Sequence, residues 1–171
     1  APLALELGAF VGYTAVRLAW QLGVRGCRVG GVVSLELDAV HVLLARHLLS
    51  LACESSRALV WTGLVGDTLA RLPEAFGQDR VDFTFMDHRG TRFHDDICIL
   101  ESLRQQAPSS ACVADNVAKP GAPLCLWRLP RSGRHSATAW SLLEFLHTDA
   151  EDWMLVSAPL SPSLAGTSAP A

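Results

Sequence analysis

Four acidic or amide groups stand where an apolar run gives way to a loop. They are Glu6 in Leu5-Glu6-Leu7-Gly8, Glu36 closing Val32-Val33-Ser34-Leu35, Asp87 after Phe83-Thr84-Phe85-Met86, and Asp115-Asn116 after Ala111-Cys112-Val113-Ala114. Any one of them has a plain role, because an acid at a strand end commonly caps the helix that follows. Four together point to a ligand. Asp87, Asp115 and Asn116 offer two carboxylates and an amide oxygen, a hard set suited to Mg²⁺ with waters or substrate oxygens completing an octahedron. Two carboxylates that close repel one another, and a cation gives their proximity a reason. Glu36 has the position of an acid that accepts the hydroxyls of a ribose near the end of a second strand. Its plainer role is that of a solvated carboxylate.

The loop Gly8-Ala9-Phe10-Val11-Gly12 joins the first apolar run to an amphipathic segment. Glycines permit a tight turn and close backbone approach, and a helix N-terminus offers unpaired N–H groups. The spacing, Glu-x-Gly-x-x-x-Gly, departs from the G-x-G-x-x-G that cradles a dinucleotide pyrophosphate. An anionic Glu6 beside the loop would repel a pyrophosphate and suits a cationic amino or sulfonium group. A nicotinamide-dependent oxidoreductase is therefore disfavoured.

The elements that must carry these groups alternate. Leu3, Leu5 and Leu7 read as a strand, and Ala15, Leu18, Ala19 and Leu22 as one face of a helix from about Gly12 to Gly23. A second strand spans Arg28 to Glu36, and Asp38 caps a helix through about Ala52 with Ala39, Val42, Leu43 and Leu49 on one side. His41 and His47 on that helix read as surface or packing residues. Strands at Ala58–Trp61, Val81–Met86 and Ala111–Ala114 are separated by helices from Asp67 to about Ala75 and from about Asp95 to Gln106, with Pro108-Ser109-Ser110 as a loop. A helix around Leu124–Leu129 and an antiparallel hairpin, Ala139–Leu146 with Trp153–Ala158, complete the pattern. Alternating strands and helices predict a doubly wound α/β domain with right-handed crossovers, and ligands at the carboxyl ends of its strands.

Composition agrees with one domain over residues 1–158 and a disordered Ser/Pro/Ala tail over 159–171. The chain has 171 residues, 50% hydrophobic and 18% charged, with a formal net charge of -3 and arginines scattered along its length. That balance gives no reason to expect a nucleic-acid partner. The five cysteines, at 27, 53, 98, 112 and 125, form no C-x-x-C pair; they read as free thiols, mostly buried, rather than a zinc site. The longest apolar run is interrupted by Arg46 and His47, too short to span a bilayer. The chain opens inside a strand with no signal peptide, so a cytoplasmic monomer is expected, with a membrane anchor left open for a longer parent chain.

Taken together, Leu5-Glu6-Leu7-Gly8-Ala9-Phe10-Val11-Gly12-Tyr13-Thr14, Phe85-Met86-Asp87-His88, Ala114-Asp115-Asn116-Val117, Pro120-Gly121-Ala122-Pro123 and Ser141-Leu142-Leu143-Glu144-Phe145 resemble the catechol O-methyltransferase family. The likeness runs from Leu3 to about Ala158. It implies a Rossmann-like methyltransferase fold with a mostly parallel seven-stranded sheet and a C-terminal antiparallel hairpin. It also implies Mg²⁺-dependent transfer of a methyl group from S-adenosylmethionine to a catechol hydroxyl. By this resemblance Glu6, Gly8, Tyr13 and Thr14 belong to the cofactor loop, with Thr14 in place of a usual serine. Glu36 holds the adenosyl ribose, and His88 packs near the adenine. Asp87, Asp115 and Asn116 hold Mg²⁺, Asp87 also lying near the methionine end of the cofactor. Glu144 receives the catechol hydroxyl that is not methylated.

Two departures bear on mechanism. After Asp-His the family has an aromatic and then a lysine that acts as general base; here those positions are Arg89 and Gly90. Lys119, in Asn116-Val117-Ala118-Lys119-Pro120, is a candidate to take the proton, as are a metal-bound hydroxide and His94, although a solvent-facing lysine is the plainer reading. The helices that precede the first strand in this family are expected to be missing from this chain. Three functions remain open: methylation of a catechol, methylation of another phenol or vicinal diol, or a non-catalytic relative that binds the cofactor or a protein and has lost the base.

Overall fold

The computed structural model describes residues 2–24, 31–77, 81–143 and 151–160. Seven strands form one sheet: β1 (Leu3–Leu7), β2 (Gly31–Glu36), β3 (Ala58–Thr62), β4 (Val81–Met86), β5 (Gln106–Ala114), β6 (His135–Leu143) and β7 (Glu151–Pro159). Their spatial order is β3-β2-β1-β4-β5-β7-β6. The first five pair in parallel, while β7 runs antiparallel to both β5 and β6. The chain winds outward from β1 to β3, then returns to add β4 on the opposite side. The point where winding reverses, between β1 and β4, is where such sheets open a crevice at their carboxyl ends.

Strand residues alternate between faces, and each face has its own core. Leu3, Leu5 and Leu7 with Val33, Leu35, Phe93, Ile97 and Leu100 fill one side; Ala4, Val32, Ala15, Ala19, Val42, Ala45 and Leu49 fill the other. The second side is covered by α1 (Tyr13–Val24) and α2 (Ala39–Leu51). Asp38 caps α2 as expected, accepting hydrogen bonds from Val40 N at 2.7 Å and, more weakly, His41 N at 3.4 Å. Of the residues expected on the buried side of α2, Val42 and Leu49 are buried, whereas Leu43 is 66% exposed and Ala45 takes the inner position.

Several boundaries differ from the sequence reading. The helix expected from Asp67 to about Ala75 is two short ones, α3 (Val65–Leu69) and α4 (Leu72–Phe76). Pro73 falls in the first turn of α4, where its missing N–H costs nothing, but it could not continue a single helix. The helix expected from Asp95 begins earlier, as a 3₁₀ turn at Gly90–Arg92 running into α5 (Phe93–Ser102). Strand β5 begins at Gln106 rather than Ala111. The register explains both readings: Gln106 pairs with Val81 and Ala111 with Phe83, so residues 107–110 bulge opposite a single residue of β4. Pro108, which has no N–H for a ladder, sits in that bulge. A last helix, α6 (Pro123–Arg128), precedes the hairpin. Its strand β6 starts at His135, four residues earlier than expected. The expected start of β2 at Arg28, Cys27, the expected end of the first hairpin strand with Glu144, and the tail from 161 onward lie outside the described residues. The other four cysteines are free, and Cys112 and Cys125 are buried. Among the described residues no helix is long and apolar enough to cross a membrane.

Candidate functional site

A cleft of about 830 Å³ opens at the carboxyl ends of the strands, beside the β1/β4 reversal. Gly8, Glu36, Asp87 and His88 line it, together with Phe10, the stretch Gly63–Asp67, Arg89 and Arg92. Glu6, Tyr13 and Thr14 are not on its wall.

Loop 8–12 is held in place from beneath. The N–H groups of Gly8 and Ala9 both donate to Leu35 O, at 2.9 and 3.1 Å, and Phe10 N donates to Glu36 Oε2 at 2.8 Å. Three loop amides are thus directed at the end of β2. A pyrophosphate cradle would need them turned outward. Gly8 has φ +99°, and a Cβ there would lie 2.6 Å from Asp87 O. Only glycine lets the first loop rest against the end of β4, which brings Asp87 to the cleft.

Glu36 accepts a second backbone bond, at Oε1, from Asp38 N at 2.9 Å, and His41 Nδ1 lies 3.8 Å from that same oxygen. The His41 ring meets Phe10 edge-on at 4.7 Å. His41 is therefore a packing residue at the cleft mouth, as expected, and His47 is exposed. Each Glu36 oxygen retains acceptor capacity beyond its one backbone bond.

Glu6 is 1% exposed and paired in register with Ser34, so both side chains face the α1–α2 layer, where Ser34 Oγ donates to the carboxylate. Burial pushes its carboxyl up from an ordinary 4.5 to about 7; the Ser34 bond opposes this, and the charges of Asp87 and Glu36 add to it. A cation near the loop would reverse part of that shift.

Asp87 and Asp115 are brought together by parallel register. Met86 pairs with Ala114, and the next residues, Asp87 and Asp115, donate their N–H to Leu7 O and Met86 O, each at 2.9 Å. Burial, then repulsion from Asp115, raises the Asp87 carboxyl from 3.8 to about 6, with His88 opposing. Asp115 is raised too, by burial and then by Asp152, against a bond from Asn116 N. Asn116 follows in a left-handed conformation, φ 54° and ψ 35°, which asparagine tolerates. Its Nδ2 donates to Asp152 Oδ2 at 2.7 Å. A carboxylate only accepts, so nitrogen must face Asp152 and the amide oxygen is left over. Two mutually repelling carboxylates beside a spare amide oxygen fit a hard divalent cation. Among the described residues no group of three or more His, Cys, Asp or Glu gathers as a metal cage, here or elsewhere, so a cation at this corner would rest on the two carboxylates and the amide oxygen.

His88 donates to, or shares a proton with, buried Asp96 at 2.8 Å and packs on Phe93, ring centroids 5.0 Å apart. Its partner Asp96 was not anticipated; its place at i+8 in the first turn of α5 is the only local signal. Lys119 is exposed; its backbone N donates to Asp152 Oδ1 at 3.2 Å. His94 contacts Cys98 Sγ at 3.6 Å and Arg128 at 3.2 Å, on the outer side of α5.

The sheet order and the cleft at its reversal point define a Rossmann-like fold, one that solved O-methyltransferases share. A solved O-methyltransferase from Bacillus cereus in complex with SAH superposes with a TM-score of 0.77 at 25% identity, over 92% of this chain and 74% of that one. The O-methyltransferase TomG from Streptomyces achromogenes, in complex with SAM, shares the fold with a TM-score of 0.78 at 21% identity. No family model matches the chain. Catechol O-methyltransferase of Sus scrofa is 31% identical over 161 residues, 93% of this chain and 84% of that protein. A probable O-methyltransferase of Mycobacterium tuberculosis is 36% identical over 125 residues, 71% of this chain and 52% of that protein. The chain belongs to the catechol O-methyltransferase family. It spans about half the length of the Mus musculus member, matching 53% of it.

Proposed function

We propose that the chain moves a methyl group from S-adenosylmethionine to one hydroxyl of a catechol, with Mg²⁺ held by Asp87, Asp115 and Asn116. The observation that carries this reading is the pairing of Asp87 with Asp115 at adjacent strand tips, each raised in part by its acidic neighbours, beside a cleft that Asp87 also lines. When bound, the metal supplies positive charge that lowers the pKa of a hydroxyl on it, and the cofactor supplies a methyl group on a sulfonium. The protein's own work is placement. Glu36 accepts ribose hydroxyls with the lone pairs its backbone bonds leave free. Glu6, buried behind the loop, gives up its proton as the cofactor's positive charge binds nearby. His88, locked by Asp96, walls the cleft. Glu144 is proposed to accept the unmethylated hydroxyl. Holding both partners in near-attack geometry is the main source of rate in such a displacement.

One observation favours a second reading. A Cβ at Gly90 would lie 2.6 Å from Gly121 O, so the 3₁₀ turn after Asp87 is packed backbone to backbone against turn 117–121. A lysine cannot be restored at position 90 without moving one of those turns. If neither Lys119 nor a hydroxide replaces it, the chain is a cofactor-binding relative without turnover, and a different phenol as acceptor is the third reading. Methyl transfer from labelled S-adenosylmethionine to catechol and phenol panels, with and without Mg²⁺, separates these. Mg²⁺-dependent product from catechols supports the proposal; cofactor binding with no product on any acceptor overturns it.

A further inference from the structure

Asp152 stands at the start of β7, 36 residues after Asn116 in sequence, and is 6% exposed. Its two oxygens divide their work. Oδ1 accepts from the backbone N–H of Trp153 at 2.6 Å and Lys119 at 3.2 Å, and Oδ2 accepts from Asn116 Nδ2 at 2.7 Å. Both oxygens of the buried acid thus serve as acceptors, engaged by its own neighbour Trp153 and by the segment that follows β5.

That engagement decides which end of the Asn116 amide faces the cation corner. An asparagine amide rotated by half a turn presents nitrogen, a donor, where it had presented oxygen. The rotated form would set amide oxygen against a carboxylate oxygen already facing it at hydrogen-bond distance, so only one orientation survives. We propose that Asp152 is the positioning residue of the metal site: it orients Asn116 so that Oδ1 is offered to the cation, and it anchors turn Val117–Gly121 behind that oxygen. The inference rests on the proposed Mg²⁺ site. Partners behind a metal ligand commonly contribute ten- to a hundredfold in affinity.

Asp152→Asn replaces Oδ2 or Oδ1 by an amide nitrogen while keeping size and shape. If the new amide oxygen keeps the backbone bonds, the new nitrogen meets Asn116 Nδ2, and the Asn116 amide is driven to flip its nitrogen toward the metal. The swap Asn116→Asp with Asp152→Asn restores the pairing in reverse: the new amide at position 152 donates, and the new carboxylate at position 116 keeps an oxygen for the cation.

The test is Mn²⁺ binding to the full chain, read by electron paramagnetic resonance of free Mn²⁺, alongside S-adenosylmethionine affinity and thermal melting. The expected result is tight, Asp115-dependent binding in the parent and a ten- to hundredfold weaker Kd in Asp152→Asn. The swap should recover most of that loss, with cofactor affinity unchanged throughout. A parent-like Mn²⁺ Kd in Asp152→Asn, or a loss the swap does not recover, overturns the positioning role and leaves the metal site standing. Absence of Asp115-dependent Mn²⁺ binding in the parent overturns both.

Discussion

The two halves of the cleft handle their carboxylates in opposite ways. At the end of β2, Glu36 is met by the backbone N–H groups of Phe10 and Asp38, so its charge is supported by the protein itself. At the ends of β4 and β5, burial pushes both carboxyls upward, and like charge adds to it, from Asp115 on Asp87 and from Asp152 on Asp115. The β2 side is a finished hydrogen-bonded structure that a ribose can join. On the β4–β5 side the protein leaves like charge less well offset. Ligand binding should therefore relieve the second region far more than the first, and that contrast can be broken experimentally.

The largest effect is expected from Asp115→Ala. Removing one of two metal carboxylates should cut Mg²⁺-dependent methyl transfer by roughly a hundredfold or more while cofactor affinity holds; equal turnover in the variant would remove the β4–β5 corner from the chemistry. Next comes Glu6, whose folded carboxyl lies at about 7 against an ordinary 4.5. The folded state binds this proton more tightly than the unfolded one. Its contribution is therefore present in full below about pH 4.5 and is lost as pH rises through about 7. At about 1.4 kcal/mol per pKa unit, the loss across that window is on the order of 3 kcal/mol. Glu6→Gln, melted from about pH 4 to 8 without ligand, should flatten that decline, and saturating S-adenosylmethionine should flatten it in the parent. A parent curve already flat between pH 4.5 and 7 would show that Glu6 is not held near neutrality.

Glu36→Gln is expected to have a smaller effect, because the backbone shares this carboxylate. Calorimetry should find about tenfold weaker cofactor binding with Mn²⁺ affinity unchanged, since one charge-assisted bond to the ribose is weakened. A larger change in Mn²⁺ affinity than in cofactor affinity would contradict the division between the two halves. Smallest is Ser34→Ala, which deprives Glu6 of its side-chain donor. It should destabilise the protein by about 1 kcal/mol above about pH 7 and less at about pH 5, where the carboxyl is protonated. Chemical denaturation at the two pH values measures the difference.

Much of this architecture was legible in the residues. The strand–loop–helix opening, the Asp38 cap, Val81–Met86 and the acids at the ends of β2, β4 and β5 all follow from local patterning, and the structure has them where expected. The elements read less well were those whose limits depend on distant partners. Strand β5 extends back to Gln106 only because β4 lies beside it to receive the bulge at 107–110. The segment 65–76 breaks in two because Pro73 allows a helix start and forbids a helix middle. Within the candidate site, Gly8, Glu36, Asp87 and His88 share the cleft wall, whereas Glu6 lies behind it and Tyr13 is exposed. Asp96 and Asp152, which lock His88 and Asn116, carry no motif of their own. Their importance comes from what they face.

The sequence by itself determined which donors arrive at the carboxyl edge of the sheet, because side-chain periodicity and turn chemistry depend on near neighbours. Only the tertiary structure decided which of their lone pairs are spent and which remain. Burial, charge repulsion and amide orientation are set by groups far away along the chain, so the same Glu, Asp and Asn side chains became a sealed acid at 6, a shared acceptor at 36 and an open corner at 87, 115 and 116.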